Sequence, residues 1–420
     1  MLFEIITFLL LFAAVFAYVN ERYLHLPDTI GVMLLTVVVS SAVYVMQLLD
    51  VVDLRGHAED FLEEMNFSST LLHGMIAFLL FSGALNVRMA DMAAQKWLIT
   101  ALAIGSTVLS CIFLGTFMWV VLNAIDIEIS YISALVFGAI ISPTDPIACL
   151  GILKKVGMPA RLQILIEGES LFNDGMGVVV FLCVMGVAQG GAADPAAVAA
   201  LFGQQAIGGL FVGAVTALIA FYMLNGVKHG STEALIMLAL VSGCFLLAEE
   251  LKVSGLIAMV VCGLVIGNYG RELAVTQKNR HHHDAFWEIV DEVLNVVLFM
   301  MIGVQLIVVE ATKELWFAAA LAVPLALAAR WLSVAIPVVL LRIGPQYQAK
   351  KRHIIWLLTW GGLRGGLSLA MVLSLPPSDE RDLFMTMTFA IVVFSIAVQG
   401  LTIGRMYTRE RLLWIAKDTV

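Results

Sequence analysis

Charged side chains are scarce in this chain. Only 13% of the 420 residues are Asp, Glu, Lys or Arg, whereas about 25% is usual in a soluble globular domain. Hydrophobic residues make up 61% of the sequence, and the mean hydropathy is +0.96. The shortage of charge excludes a soluble protein with a large core and indicates a polytopic membrane protein.

Cysteine clusters, basic stripes and a cleavable leader are also lacking. The five cysteines lie far apart within apolar stretches, which excludes a disulfide framework or a zinc site. No concentration of Lys and Arg suggests nucleic-acid binding. The first 20 residues contain no basic segment and no small-residue cleavage site, so we predict a first transmembrane helix rather than a signal peptide.

What the sequence does contain is a series of apolar runs of about 20 residues, the length that crosses a bilayer as a helix. We therefore predict an all-α membrane protein with 13 transmembrane helices. The runs cover residues 2–19, 29–48, 69–87, 97–122, 129–152, 162–188, 201–224, 231–249, 253–269, 286–309, 315–341, 353–375 and 383–404.

The positions of Lys and Arg predict the orientation of these spans. With the N-terminus outside, 18 of the 24 basic residues lie in the inner connections and the C-terminal tail, and 4 lie outside. The remaining two, Arg330 and Arg364, lie within spans. This asymmetry predicts an outer N-terminus and a cytoplasmic C-terminus, with residues 406–420 as a short cytoplasmic tail.

Helix breakers interrupt two of the spans. The fifth contains "SPTDP" (142–146), whose prolines remove backbone donors and disfavour helix at the preceding residue. The twelfth contains "GGLRGG" (361–366), four glycines around one arginine. If residues 1–188 and 231–405 form two inverted six-helix repeats joined by a helix at 201–224, each break falls in the fifth helix of its repeat. Broken helices at corresponding positions of inverted repeats indicate the binding site of a transporter.

The sixth span carries an unusual polar stretch, "EGESLFNDG" (167–175). In a helix, Glu169 and Asn173 share one face, and Ser170 and Asp174 share the neighbouring one. Asp174 lies about 18 Å from the inner end of the span, near the middle of the bilayer. A charge at that depth is costly, and such acids usually line a cavity or have a partner.

A mid-membrane carboxylate beside a hydroxyl and an unwound backbone suits a small hard cation. The break at Thr144 and Asp145 frees carbonyl groups that can bind such an ion. A site at Asp174 and Ser170 that accepts either a proton or a cation, but not both, is the minimum mechanism of an exchanger. Asp145 either ligates through water or caps a broken helix end, and the residues alone leave both alternatives open.

The remaining charged positions have simpler interpretations. Glu169 is predicted to be the partner of an in-membrane arginine, and Glu167 a solvated or paired charge at the rim. Arg364 is interpreted as a fixed counter-charge, with a substrate-anion site as the alternative. The run from His281 to Asp284 is predicted to be a solvated loop rather than a pH sensor or a metal site.

Three motifs resemble signatures of the NhaP/NHE-type sodium/proton antiporters. They are "SPTDP", "EGESLFNDG" and "GGLRGGLSLA" (361–370), in the family's order and spacing. The resemblance covers essentially the whole chain and implies an NhaA-like fold with crossing helices 5 and 12. It further implies a bacterial inner-membrane transporter acting in pH homeostasis, with Na⁺ or Li⁺ and H⁺ as substrates and no cofactor.

The resemblance also implies an assembly and a set of residue roles. It implies a homodimer in which spans 1–3 and 8–10 form the dimer domain, and spans 4–6 and 11–13 form a moving core. Asp174 would bind both proton and cation, helped by Ser170 and the Thr144 carbonyl group. Asn173 would fix the geometry, Asp145 would act partly through water, and Glu169 would pair with Arg364.

One position departs from the family pattern. Some members supply an acidic ligand from the third span, where this chain has Ser82. This difference bears on the choice among Na⁺, Li⁺ and K⁺, and a K⁺/H⁺ antiporter of the same fold is the alternative function.

A charge count predicts electroneutral exchange. Asn173 brings no charge, so the "ND" pair supplies one titrating carboxylate where an Asp-Asp pair would supply two. A cation channel is a rival, although no filter-like repeat is present. An intramembrane serine protease fits poorly, because His73 and Ser82 are nine residues apart on one predicted helix, about 13 Å, and no G-x-S-x-G motif occurs. The protein is therefore predicted not to be an enzyme.

Overall fold

A computed structural model gives the fold as a bundle of α-helices. It describes residues 2–48, 74–145, 147–190, 194–227, 229–269, 277–304, 312–340 and 351–408. In that part of the chain we number the helices α1 (Leu2–Val19), α2 (Asp28–Leu48), α3 (Ile76–Leu85), α4 (Met89–Ala93), α5 (Lys96–Ala124), α6 (Tyr131–Ile141), α7 (Ile147–Lys155), α8 (Ala160–Ala188), α9 (Pro195–Asn225), α10 (Gly230–Glu250), α11 (Gly255–Val265), α12 (Gln277–Val304), α13 (Lys313–Leu340), α14 (Lys351–Gly361), α15 (Gly366–Leu373) and α16 (Asp379–Met406).

The length and composition of these helices suit a membrane. Among the described residues, seven helices are long and apolar enough to cross a bilayer, and an eighth is added if α14 and α15 form one bent span. Four shorter apolar helical segments lie in α2, α3, α6 and α11. The predicted all-helical, multi-pass architecture is confirmed, whereas the number thirteen and the inverted repeats stay predictions.

Both predicted interruptions are present. The first break separates α6, which ends at Ile141, from α7, which begins at Ile147. The second separates α14, which ends at Gly361, from α15, which begins at Gly366, and the two helices are bent by 55°. Proline in the first break and glycine in the second account for the lost helical hydrogen bonds.

Helix α8 runs between α5, α6 and α11 and carries the polar stretch. Glycine allows it to approach the first break closely, because a Cβ added at Gly177 would overlap the ring of Pro143. Glu169, Ser170 and Asn173 are all buried on α8. Buried polar groups require partners, and the neighbouring breaks provide several of them.

Candidate ion-binding site

The two interrupted spans meet at their breaks. The backbone amide of Asp145 donates a hydrogen bond of 2.8 Å to the carbonyl oxygen of Leu363. In return, Arg364 Nη1 donates to the carbonyl oxygens of Ser142 and Pro143, each at 2.7 Å. The last carbonyl groups of a helix have no intrahelical donor and carry partial negative charge. The guanidinium of Arg364 therefore caps the carboxyl end of α6, and the two breaks form one structural unit.

Side chains of α8 bind the first break. Ser170 Oγ donates to the carbonyl oxygen of Thr144. Asn173 Nδ2 donates to Thr144 Oγ1 at 2.6 Å, and the Thr144 amide donates to Asn173 Oδ1 at 3.2 Å. An unwound segment leaves backbone groups that must be satisfied when they are buried. Two residues three apart on α8 satisfy them from one face of the helix.

Asp174 is the residue after Asn173 on α8, and it lines an open cavity of about 1100 Å³. Its Oδ1 atom is buried and has no hydrogen-bond partner in the described part of the chain. Asp145 and Ser170 line the same cavity. Hard cations prefer carboxylate and other oxygen ligands, and a carboxylate without a donor can equally be satisfied by a proton. The arrangement is therefore chemically able to hold either ion.

Part of the cavity wall is charged and exposed to solvent. This part includes Glu21, Lys155, Lys154 and Glu167, and Lys154 Nζ lies 3.0 Å from Glu167 Oε1. Lys154 is half exposed. Of the two alternatives predicted for Glu167, a solvated or a paired rim charge, the structure shows the paired one.

Glu169 pairs with Arg330 rather than with Arg364. Arg330 Nη1 and Nη2 donate to the two carboxylate oxygens of Glu169 at 3.0 and 3.2 Å, and both side chains are 2% exposed. Asn173 Nδ2 adds a bond of 2.9 Å to Glu169 Oε1. The predicted Glu169–Arg364 pair is therefore wrong. The Arg364 guanidinium is held by the α6 carbonyls, while the fork of Arg330 on α13 matches the buried carboxylate at both oxygens.

The histidine run lies in a helix. Helix α12 begins at Gln277, so the predicted solvated loop at residues 281–284 is wrong. His283 is buried, and its Nε2 lies 2.5 Å from Oε2 of the buried Glu233. Glu233, a partner on α10, makes burial of this polar side chain possible. Because Glu233 is 50 residues away in sequence, the residues around His283 do not predict that it is buried.

Ser82 has a packing role. It is buried on α3, and its Oγ donates to the carbonyl oxygen of Trp287 at 3.2 Å. This bond joins α3 to α12, so the hydroxyl group is engaged by backbone.

Residues of α12 also line the cavity, and the sequence reasoning missed them. Glu288, Asp291, Glu292 and Asn295 face the same space as Asp174. Their separations of three and four residues follow the helical period. That spacing within an otherwise apolar run is the sequence signal that indicates a polar face on this span.

Comparison with known proteins identifies the family. Residues 8–409 match the family model described as sodium/hydrogen exchanger, transmembrane. The chain belongs to the sodium/hydrogen exchanger family. The predicted family resemblance is thereby confirmed, and it covers nearly the whole chain.

Curated relatives and solved structures extend this result. The Na⁺/H⁺ antiporter NhaP of Pseudomonas aeruginosa is 41% identical over 400 residues, covering 93% of each chain. The Na⁺/H⁺ antiporter NhaH of Halobacillus dabanensis is 30% identical over 401 residues, covering 94% of each. In fold, this exchanger is similar to the sodium proton antiporter MjNhaP1 of Methanocaldococcus jannaschii. The TM-score is 0.75 at 19% identity, covering 98% of this chain and 99% of the other.

Proposed function

We propose that this exchanger carries Na⁺ or Li⁺ in one direction and H⁺ in the other, with Asp174 binding one or the other. The observation that carries the proposal is the Asp174 Oδ1 atom, which is buried without a donor among the described residues. It lies on a cavity wall where two broken helices cross. Membership of the sodium/hydrogen exchanger family and similarity to the named Na⁺/H⁺ antiporters support the same conclusion.

The neighbouring residues have distinct roles in this proposal. Ionised Asp174 supplies the charge that binds the cation, and the Thr144 carbonyl and Ser170 hydroxyl groups supply neutral oxygens. Asn173 holds the first break at a fixed distance from α8 through its bonds to Thr144. Asp145 acts through water at the edge of the site. Protonation of Asp174 removes the negative ligand, so a proton and a cation exclude each other.

The exchange is proposed to be electroneutral. Glu169 and Arg330 remain ionised throughout the cycle, because losing either charge leaves the other unpaired in a buried position. Arg364 stays bound to the α6 carbonyls, and Asp145 keeps one protonation state. Asp174 then crosses with either one proton or one cation, so each cycle moves no net charge.

The orientation and assembly proposed here are those predicted from the sequence. With the N-terminus outside, the part of the cavity wall that carries Lys154 and Lys155 faces the cytoplasm, so the site is open to the inside in this conformation. Alternating access requires the two crossed breaks to move together relative to the remaining helices. We propose a homodimer in a bacterial inner membrane, in which spans 4–6 and 11–13 move and spans 1–3 and 8–10 form the contact. Residues 1–188 and 231–405 would be the inverted repeats, joined by the helix at 201–224.

Proton flux in proteoliposomes tests the proposal. Addition of Na⁺ or Li⁺ should release protons from the opposite side, K⁺ should be tested in parallel, and choline serves as the inert cation. Asp174→Asn keeps the shape of the side chain but removes the negative ligand and the titrating proton, so exchange should be lost. Asp126→Asn, the same change at an exposed turn residue, is the matched control. Cation movement that needs neither a proton gradient nor a trans cation would instead indicate a channel.

A voltage clamp tests the stoichiometry. Each net charge moved would be worth about 2.3 kcal/mol per 100 mV. For electroneutral exchange, a potential set by K⁺ and valinomycin should leave the steady-state Na⁺ gradient unchanged. Accumulation of Na⁺ driven by the potential alone would require a second cycling carboxylate, and Asp145 would be examined first.

A further inference from the structure

Asn295 on α12 has a buried amide oxygen without a hydrogen-bond donor. The side chain is 1% exposed. Its Nδ2 donates to the carbonyl oxygen of Asp291 at 2.9 Å and to Asp291 Oδ2 at 3.2 Å. Two acceptors on that side require the nitrogen atom there, so the orientation of the amide is fixed by its partners. Oδ1 lacks a donor among all residues that the structure describes.

This residue pair lies beside the second break. It lines the same cavity as Asp145. Leu298, about one helical turn beyond Asn295, packs where a Cβ on Gly366 would lie. A Cβ added at Gly365 would in the same way lie too close to the carboxylate of Asp145. Two successive glycines therefore bring α12 and the carboxylate of the first break to the same part of the cavity.

The charge of the cavity favours a cation as the missing partner. Seven carboxylates and two lysines line it, and one of the lysines, Lys154, is paired with Glu167. A cleft with an excess of one sign of charge concentrates ions of the opposite sign. A buried acceptor without a donor costs about 1–3 kcal/mol, and a cation held jointly with the neighbouring carboxylate would remove that cost.

We propose that Asp291 and Asn295 form a second binding position for a monovalent alkali cation, separate from Asp174. Asp291 supplies the negative charge, and Asn295 Oδ1 supplies a neutral oxygen. The bonds from Asn295 Nδ2 hold the two groups together. This proposal rests on the proposed exchange function for the identity of the ion, and it makes α12 the place that the cation occupies before it reaches Asp174.

Thermal unfolding of the detergent-solubilised full chain isolates the second position. In Asp174→Asn protein, Na⁺ should still raise the melting temperature relative to choline at equal ionic strength, because a bound ion stabilises the folded state. Adding Asn295→Leu or Asp291→Asn should abolish this Na⁺-specific shift. Adding Glu288→Gln, which removes a charge from the same helix and the same cavity, should leave the shift in place. Asp291→Asn preserves side-chain shape, so the test survives if Asn295→Leu fails to fold.

The wild-type background provides an independent readout. Asn295→Leu should raise the Na⁺ concentration for half-maximal exchange by about tenfold, as loss of a residue that orients a ligand does, and Glu288→Gln should change it much less. Absence of a Na⁺-specific shift in Asp174→Asn protein would mean that water alone satisfies Asn295 and would overturn the proposal. Equal effects of the Asn295 and Glu288 variants would do the same. Because the unfolding measurement requires no transport, failure of the proposed exchange function can be distinguished from failure of the second binding position.

Discussion

The two helix breaks differ in what they contribute. The first break carries a carboxylate, Asp145, and its Thr144 backbone is bound by Ser170 and Asn173. The second contributes a guanidinium, Arg364, which caps the carboxyl end of the first interrupted span. One break therefore carries the oxygen atoms that the proposed mechanism assigns to the cation, and the other compensates the helix end that the first break leaves open. A crossing of two breaks can thus be asymmetric in chemistry although both interrupt a membrane helix.

The two buried arginines also differ in the kind of negative charge that they contact. Arg330 forms two bonds with the Glu169 carboxylate and a third, at 3.3 Å, with the Leu358 carbonyl of α14. It therefore joins α8 to the helix that precedes the second break. Arg364 contacts main-chain oxygens. The first arginine balances a full charge, whereas the second balances partial charges.

The largest expected effect comes from separating the roles of the arginines. Arg330→Gln leaves Glu169 buried without its partner and should cost about 3–5 kcal/mol of unfolding free energy. Adding Glu169→Gln should restore most of that loss, because neither charge then remains unpaired. Adding Glu169→Gln to Arg364→Gln should not restore the unfolding free energy. Unfolding in mixed micelles measures the two single arginine variants and their combinations with Glu169→Gln. If Glu169→Gln restored the stability of Arg364→Gln instead, Arg364 would be the partner of Glu169.

A smaller effect is expected from the close approach at the first break. A Cβ at Gly177 would overlap Pro143, and such overpacking costs typically about 1–3 kcal/mol. Gly177→Ala should lower both the melting temperature and the exchange rate. The matched control is Gly203→Ala on α9, where nothing lies within 4 Å of the added atom. Equal melting temperatures for the two variants would mean that α8 and the first break are less closely packed than described.

The smallest effect is expected from removing one serine hydroxyl group at each break. Ser170 Oγ donates to the Thr144 carbonyl at the first break, and Ser395 Oγ accepts from the Arg364 amide at 2.9 Å at the second. Ser170→Ala and Ser395→Ala should each cost about 1 kcal/mol of stability. The Ser170 change alone should raise the Na⁺ concentration for half-maximal exchange. Equal shifts in both variants would show that the second break also ligates the cation.

Much of this architecture is predictable from local sequence. Pro143 and the glycines around Arg364 mark both breaks, because their effect on the backbone is intrinsic. The depth of Asp174 follows from counting residues along a span. Spacing on a single helix also predicts that Ser170 and Asn173 lie near one another.

The errors concern contacts between helices. Glu169 has two candidate arginines in the membrane, and nothing local to either indicates which helix faces α8. His283 lies in a polar run that is typical of a loop, but Glu233 on another helix allows it to be buried. Asp291 and Asn295 line the cavity because α12 passes the second break, and that position depends on packing of the whole bundle.

Competition between proton and cation at Asp174 is the central claim, and the pH profile of exchange tests it most directly. Low pH should block cation loading and high pH should remove the proton that is needed for the return step, so the profile should be bell-shaped. Raising Na⁺ from its half-saturating concentration to ten times that value should move the acidic limb to lower pH by roughly 0.7 unit, as expected for ligands that exclude each other. A profile that stays fixed as Na⁺ rises would contradict a shared site and would point to a separate titrating group.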